Sequence, residues 1–385
     1  MKLLSVDNFV RFECIGGDCP ISCCGGHWGI YIDDESRDRY MSVEGEFGDR
    51  LRNSIIKING DNNAFKLDEQ TGECVFLNED KLCKIYLTLG PDALCYTCKS
   101  FPRMLYTVGD FEFCYLTNAC PEVNRMIMQR KDPLQTLYDD SVDESDEDTD
   151  NMDRNRFNNA IRAYSAGMHI VQNRSIELKD RLLYLLFFVD RFQEFMKDNK
   201  DPSDLIAVFS EPSLYTELLD KANFSNVDNA SKIHAFMMSF RSMITDSYDH
   251  PMWQKCIELA EIIGRNEIND AEQLEAAFKK TNTKEVQIEL EQLMVYRFFA
   301  VFMRGYEKTD YLEKLAYEYV MYGALITYIA MTESLQECGC TQEDRILFVS
   351  LFGRIAHSTN RRKDFENTIK KDGYYEVEKL LGLII

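Results

Sequence analysis

Ten of the chain's thirteen cysteines lie before residue 121: Cys14, Cys19, Cys23, Cys24, Cys74, Cys83, Cys95, Cys98, Cys114 and Cys120. Only Cys256, Cys338 and Cys340 follow. The densest stretch, "CPISCCGGHW" from Cys19 to Trp28, sets three thiols beside a proline and two glycines, which keep it out of regular structure. Thirteen is odd, so full pairing within the chain is impossible. The start "MKLLSVDNFVRF" does not read as a signal peptide, because Asp7 and Arg11 interrupt any apolar core and no small-residue cleavage site follows. A reducing cytoplasmic setting is therefore expected, where disulfides are rare. Buried free thiols can serve as small hydrophobes, but ten of them in the first 120 residues exceed that need. A metal site remains. Structural zinc and iron–sulfur clusters both draw thiolates from separate parts of a chain. The sequence offers Cys14-x4-Cys19-x3-Cys23-Cys24, Cys74-x8-Cys83, Cys95-x2-Cys98 and Cys120, more sulfur than one tetrahedral zinc takes. Spacing alone does not choose between zinc and iron. Adjacent Cys23 and Cys24 are expected to point apart, with one of the two reaching a given metal.

Charge excludes other classes. The 65 acidic against 44 basic residues give a net charge of −21, which a phosphate backbone or an anionic membrane surface would repel. No nucleic acid or membrane partner is expected. The longest apolar run, "LLYLLFFV" at 182–189, is far too short to span a bilayer.

The two ends of the chain differ in character. The expected fold is mainly α, with a loop-rich cysteine-cluster domain of little β over 1–135, an acidic linker or loop over 136–155, and an all-α domain of eight or nine helices over 156–385. In the first part "HWGIYID" alternates as a strand does, and "DKLCKIYLTLG" reads as a turn and short helix ended by Gly90-Pro91. In "DDSVDESDEDTDNMD", 139–153, nine of fifteen residues are acidic and none is aromatic, so the segment has nothing to bury and reads as a solvated tether. Beyond it "DRLLYLLFFVDRFQEFM" places Leu182, Leu185, Leu186, Val189, Phe192 and Met196 at helical spacing. "EVQIELEQLMVYRFFAVFMRGY" and "DYLEKLAYEYVMYGALITYIAM" continue that pattern. Asp201-Pro202-Ser203 and Glu211-Pro212-Ser213 read as helix starts.

The ordered segments "FECIGGDCPISCCGGHWGIYID", "GECVFLNEDKLCKIYLTLGPDALCYTCKSFPR" and "NACPEVNRMIM" resemble the flagellin lysine-N-methylase family, part of a wider group of cysteine-cluster, zinc- or iron-chelating proteins. The resemblance covers most of residues 9–130; in the helical half only "QLMVYRFFAVFM" and "LFGRIAHS" carry it. It implies a cytoplasmic enzyme that transfers methyl groups from S-adenosylmethionine to lysine side chains of flagellin, with a [4Fe–4S] cluster on the N-terminal cysteines and zinc as the alternative metal. The family's recurrent cysteines fall on Cys14, Cys19, Cys23, Cys24, Cys74, Cys83, Cys98 and Cys120, a subset of which the resemblance makes ligands. Cys95 and Cys114 stand outside that set, and His27 is inserted before Trp28 relative to the family's pattern.

Such a transfer needs little covalent machinery beyond alignment of donor and a neutral amine. No glycine-rich turn after a strand marks a Rossmann donor site. Arg103, in "SFPR", is a candidate for contacting the cofactor or the donor carboxylate, against a plain surface ion pair. Trp28 is a candidate cofactor neighbour, against a core plug. His27 is a candidate ligand. Arg354 and His357 share a helix face and read equally as cleft or surface residues. Cys338-x-Cys340 reads as a capping turn between helices. Two other functions remain open at this point: a zinc-stapled scaffold without chemistry, and a redox protein using a labile cluster or the Cys95-x2-Cys98 pair.

Overall fold

The computed structural model describes residues 2–25, 28–58, 60–139, 153–214, 271–335 and 340–357, with isolated positions at 217, 254, 258, 261, 367, 370, 371, 377 and 380. His27, Cys256, Cys338 and acidic residues 140–152 lie outside them, as does the His357 side chain.

The N-terminal part is built on two small sheets. Strand β1 (Lys2–Val6) leads through helix α1 (Asp7–Arg11) into two 3₁₀ turns, Gly16–Asp18 and Cys23–Gly25. Then come β2 (Tyr31–Ile32), α2 (Asp34–Ser42), α3 (Gly45–Asn53), β3 (Ile55–Ile58) and β4 (Asn62–Phe65). Helices α4 (Lys84–Leu89) and α5 (Tyr96–Ser100) precede β5 (Arg103–Val108), β6 (Phe111–Leu116), α6 (Pro121–Met128) and β7 (Thr136–Asp139). The first sheet has the order β5-β6-β1-β7 and the second β2-β4-β3. This is more strand than "HWGIYID" signals. That stretch contributes only Tyr31–Ile32, because Asp33 stops the strand: its side chain accepts from Ser36 N–H and caps α2. The "DKLCKIYLTLG" helix forms as its sequence suggests, ending at Gly90, whose φ of 86° favours glycine.

In the first sheet β1 pairs β6 in parallel, so the chain must cross over between them. That crossover contains the second sheet and most of the cysteines. Strands β5 and β6 close as a hairpin over Gly109-Asp110, with Val108 opposite Phe111. Arg103 ties the base of the crossover: its guanidinium donates to the Phe12 carbonyl at 3.2 Å and lies over the Phe9 and Phe12 rings. It thereby joins the points where the chain leaves and regains the first sheet.

The helical part comprises α7 (Arg154–Gln172), α8 (Leu178–Lys197), α9 (Ser203–Phe209), α10 (Ala271–Thr281), α11 (Lys284–Val301), α12 (Tyr311–Leu335) and α13 (Gln342–His357) among the described residues. Pro202 begins α9, whereas Pro212 opens only a 3₁₀ turn, Pro212–Leu214. Helix α11 is buried almost all round, as a helix at the centre of a bundle is. Two of its buried carboxylates are matched: Glu291 takes Arg174 and Arg181, and Glu289 takes Arg345. No described helix is long and apolar enough to cross a membrane.

One large apolar core joins the first sheet to the helices, through residues such as Val6, Phe113, Val123, Tyr164, Phe299 and Phe352. Tyr296 of α11 closes the seam: Leu116 N–H donates to its hydroxyl at 2.5 Å, and the hydroxyl donates to the Leu116 carbonyl at 2.7 Å. A second core of ten buried residues, including Tyr40, Phe65, Phe76, Cys74 and Cys95, lies inside the crossover.

Candidate cysteine centre

The cysteines reach their places by local rules. Cys83, Cys95 and Cys120 each occupy the position just before a helix, at the starts of α4, α5 and α6. There the unpaired amides of a first turn favour a negative sulfur. The Cys74 amide donates to the Cys24 carbonyl at 2.8 Å, joining the first cysteine loop to the second. Isolated bridges pair Cys74 with Leu67 and Cys83 with Leu77, which fold the loop between them back on itself. The Cys19 thiol donates to the Ile21 carbonyl at 3.1 Å, and Gly16 N–H donates to the Cys14 sulfur at 3.4 Å.

Every described cysteine is a free thiol. The thiols of the first 120 residues influence one another across chain segments. Cys24 feels Cys23, Cys74 and Cys83; Cys74 feels Cys83, Cys95 and Cys23; Cys98 feels Cys95, Cys24 and Cys23. Cys120 feels Cys19 and Cys23, so Cys23 links the whole set. Cys114 stands apart on β6, where burial pushes it up to about 11. Burial likewise raises Cys74 to about 11 and Cys120 to about 12. Two pairs behave differently. Hydrogen bonding with Cys24 brings Cys23 down to about 7, and its partner rises; Cys95 is lowered by Cys98, which rises in turn. In each pair one thiol is lowered and its partner raised. Cys23 and Cys24 do not point apart as adjacent residues were expected to: both lie in the 3₁₀ turn Cys23–Gly25 and their thiols hydrogen-bond to each other.

Among the described residues no group of three or more His, Cys, Asp or Glu side chains is spaced to hold a metal ion. In donor chemistry the set suits a thiophilic group: free thiols from the 14–24, 74–98 and 120 stretches, whose charges act on one another.

The other candidate residues fall around this set. Trp28 is half-buried, with its ring 5.6 Å from that of Phe101 and the Arg354 guanidinium 5.2 Å from its centroid. Arg103 reaches Phe12, not a sulfur, among its described contacts. Cys340 sits where α13 begins, and the cap itself is Thr341: Asp344 N–H donates to the Thr341 hydroxyl oxygen and Thr341 N–H to the Asp344 carboxylate.

The sequence left Arg354 open between cleft and surface, and its burial rules out the surface. It is no surface group but a fully buried side chain on the inner face of α13. Its Nε donates to the Ala119 carbonyl at 3.2 Å and its Nη2 to the Ile21 carbonyl at 2.7 Å. Its charge draws the Cys19 and Cys23 thiols toward the thiolate form, against the desolvation that raises Cys19. The signal was present in "ILFVSLFGRI". Ile346, Ser350, Gly353 and Arg354 fall on one helical stripe, and an arginine on such a stripe must find acceptors inside.

Comparison with known proteins bears on the identity of the chain. Residues 165–383 match the model of the FliB lysine N-methylase C-terminal domain. A flagellar biosynthetic protein, FliU, of Salmonella muenchen is 35% identical over 128 residues, 32% of this chain and 75% of that protein. Lysine-N-methylases of Salmonella typhimurium and Salmonella choleraesuis are each 35% identical over 128 residues, 32% of this chain and 32% of theirs. The matched stretch thus spans only about a third of those two relatives. No solved structure matches the chain significantly. With more than half its length under that one family model, the chain belongs to the FliB lysine N-methylase family.

Proposed function

We propose that this chain is a cytoplasmic S-adenosylmethionine-dependent methyltransferase that methylates lysine side chains of flagellin, with an iron–sulfur group on its N-terminal cysteines. The family model over 165–383 and the relatives named lysine-N-methylase support the transferase reading. The flagellar name of a further relative supports a flagellar substrate. The observation that supports the cofactor reading is that free thiols from three chain stretches act electrostatically on one another, with Cys23 common to them.

The reaction balances simply. The lysine nitrogen, neutral at the moment of attack, forms a bond to the methyl carbon while the carbon–sulfur bond of the sulfonium breaks. The departing thioether keeps that electron pair, and the product ammonium releases its proton to solvent or a neighbouring base. Cys14, Cys19, Cys23, Cys24, Cys74, Cys83, Cys98 and Cys120 would supply the thiolates that hold the metal group. Such a group supplies an electron-rich, thiophilic surface that binds or orients a ligand when an iron lacks a protein thiolate. The chain's own part is to hold these sulfurs reduced and desolvated, with Cys23 ready as thiolate near neutral pH.

The test uses the full chain purified without oxygen. Iron and sulfide are measured, and methyl transfer from labelled S-adenosylmethionine to purified flagellin is followed by mass spectrometry. Iron and sulfide in equal amounts, with label on flagellin lysines, is the expected result. A colourless protein with stoichiometric zinc and no transfer would replace this reading with that of a zinc-stapled scaffold.

A further inference from the structure

Arg354 touches three stretches of the cysteine part with one guanidinium. Ile21, whose carbonyl accepts from Nη2 at 2.7 Å, lies between Cys19 and Cys23. Ala119, whose carbonyl accepts from Nε, immediately precedes Cys120. Trp28, whose ring faces the cation at 5.2 Å, follows the double cysteine. The Ile21 carbonyl also accepts from the Cys19 thiol at 3.1 Å, so cation and sulfur share one acceptor. Gly353 lets the helix come this close: a Cβ there would lie 2.6 Å from the Asn118 carbonyl carbon. Asn124 Nδ2, donating to the Ser350 hydroxyl at 2.8 Å, fixes the same helix against α6.

Burying a guanidinium costs several kcal/mol unless its surroundings compensate it. Backbone carbonyls and an aromatic face compensate part of that cost. A neighbouring thiolate set would compensate more, and it would itself be compensated. We propose that Arg354 is the positioning residue of the cysteine centre: it clamps the Cys19–Cys23 loop to the Cys120 loop and supplies the positive charge that the thiolates and their bound group require. The helical half thereby takes part in the centre without contributing a ligand. The inference rests on the cysteines being a ligand-holding centre, as argued under the proposed function.

The experiment compares wild-type full-length chain with R354K, which keeps the charge but loses the fork, and R354Q, which loses both. Helical content is first matched by circular dichroism. Each protein is reconstituted with iron and sulfide under anaerobic conditions, and the midpoint potential and the rate of iron loss to a chelator are recorded. Cadmium(II) is titrated separately into the metal-free chains as a thiolate probe. A lower midpoint potential in R354Q, with R354K between it and wild type, is expected, because a removed cation stabilises the reduced form less. Cadmium affinity should fall by about tenfold or more in R354Q, as for other groups that support metal ligands. A merely structural arginine would lower stability in both variants and leave potential and cadmium affinity unmoved, and that result overturns the proposal. If wild type takes up no iron and sulfide, the iron–sulfur reading fails by itself. The cadmium comparison then decides on Arg354: unchanged affinity overturns it and weakened affinity upholds it. If R354Q does not fold, R354K decides by the same readings.

Discussion

Replacing Gly353 by alanine should destabilise the protein, although helix propensity argues the opposite. Gly353 lies inside α13, where alanine is intrinsically better by about 1 kcal/mol. The new Cβ would stand 2.6 Å from the Asn118 carbonyl carbon, 2.7 Å from Ala119 N and 2.8 Å from the Asn118 carbonyl oxygen. Ordinary carbon contacts are about 3.5–4.0 Å, so the helix must retreat by roughly 1 Å. These neighbours are backbone atoms and cannot rotate aside. Overpacking of this kind costs about 1–3 kcal/mol. The retreat also stretches the Arg354 bond to the Ala119 carbonyl, already 3.2 Å, past useful length. Losing a hydrogen bond to a charged group adds about 1.5–3 kcal/mol. Against a propensity gain of about 1 kcal/mol, the net loss is about 1.5–5 kcal/mol. Urea unfolding followed by circular dichroism reads it as a lower midpoint at unchanged slope. A midpoint that rises would show that α13 does not press on the Cys120 loop, and the account of Arg354 would fall with it.

Other expectations follow from the same geometry. Glu318→Gln leaves Arg297, which forms a fork with it at 2.6 and 2.7 Å, as a buried cation without its carboxylate; a loss of about 3–5 kcal/mol in urea unfolding is expected, and a loss under about 1 kcal/mol would mean that the pair is solvated. In the metal-free chain Cys23, with its pKa brought down to about 7, should be alkylated fastest among the first 120 residues, its rate rising through neutral pH as the thiolate fraction grows. Peptide mapping checks this, and a rate still flat at pH 7 and rising only near pH 9 contradicts the Cys23–Cys24 pairing. Thr341→Ala removes the acceptor for Asp344 N–H at the start of α13 and should cost about 1 kcal/mol; no change in stability would show that the cap is idle.

The helices were legible because periodic apolar spacing is local: Leu182, Leu185, Val189 and Phe192 declare α8 by themselves. The stop at Gly90 was legible for the same reason. The parallel pairing of β1 with β6 was not, because it joins Lys2 to Phe111 across the entire crossover. Short strands such as Asn62–Phe65 carry too few residues for alternation to register. The cysteines announced a centre by number, but not their partition: Cys23 and Cys95 as the lowered thiols follow from contacts with Cys24 and Cys98, which spacing does not encode. Arg354 stayed open between cleft and surface because burial of a cation depends on acceptors at Ile21 and Ala119, more than two hundred residues away in sequence.

On the proposed function, the crossover is the part of the fold that a group bound by the cysteines would stabilise most. Its core has ten buried residues, two of them Cys74 and Cys95. A core that small yields only a few kcal/mol of net stability unless something staples it. The described thiols are free, so no disulfide supplies the staple. At the border with the large core, the Trp28 ring packs 5.6 Å from that of Phe101 and lies under the Arg354 guanidinium. Cys74 belongs to the small core and Cys120 to the large one, so a group held by both would tie the two cores together. Binding free energy at such a place is also folding free energy. The metal-free crossover should therefore exchange its amides faster than α11 and α12, and loading should slow the crossover far more than the helices. Equal protection before and after loading would show that the small core stands alone.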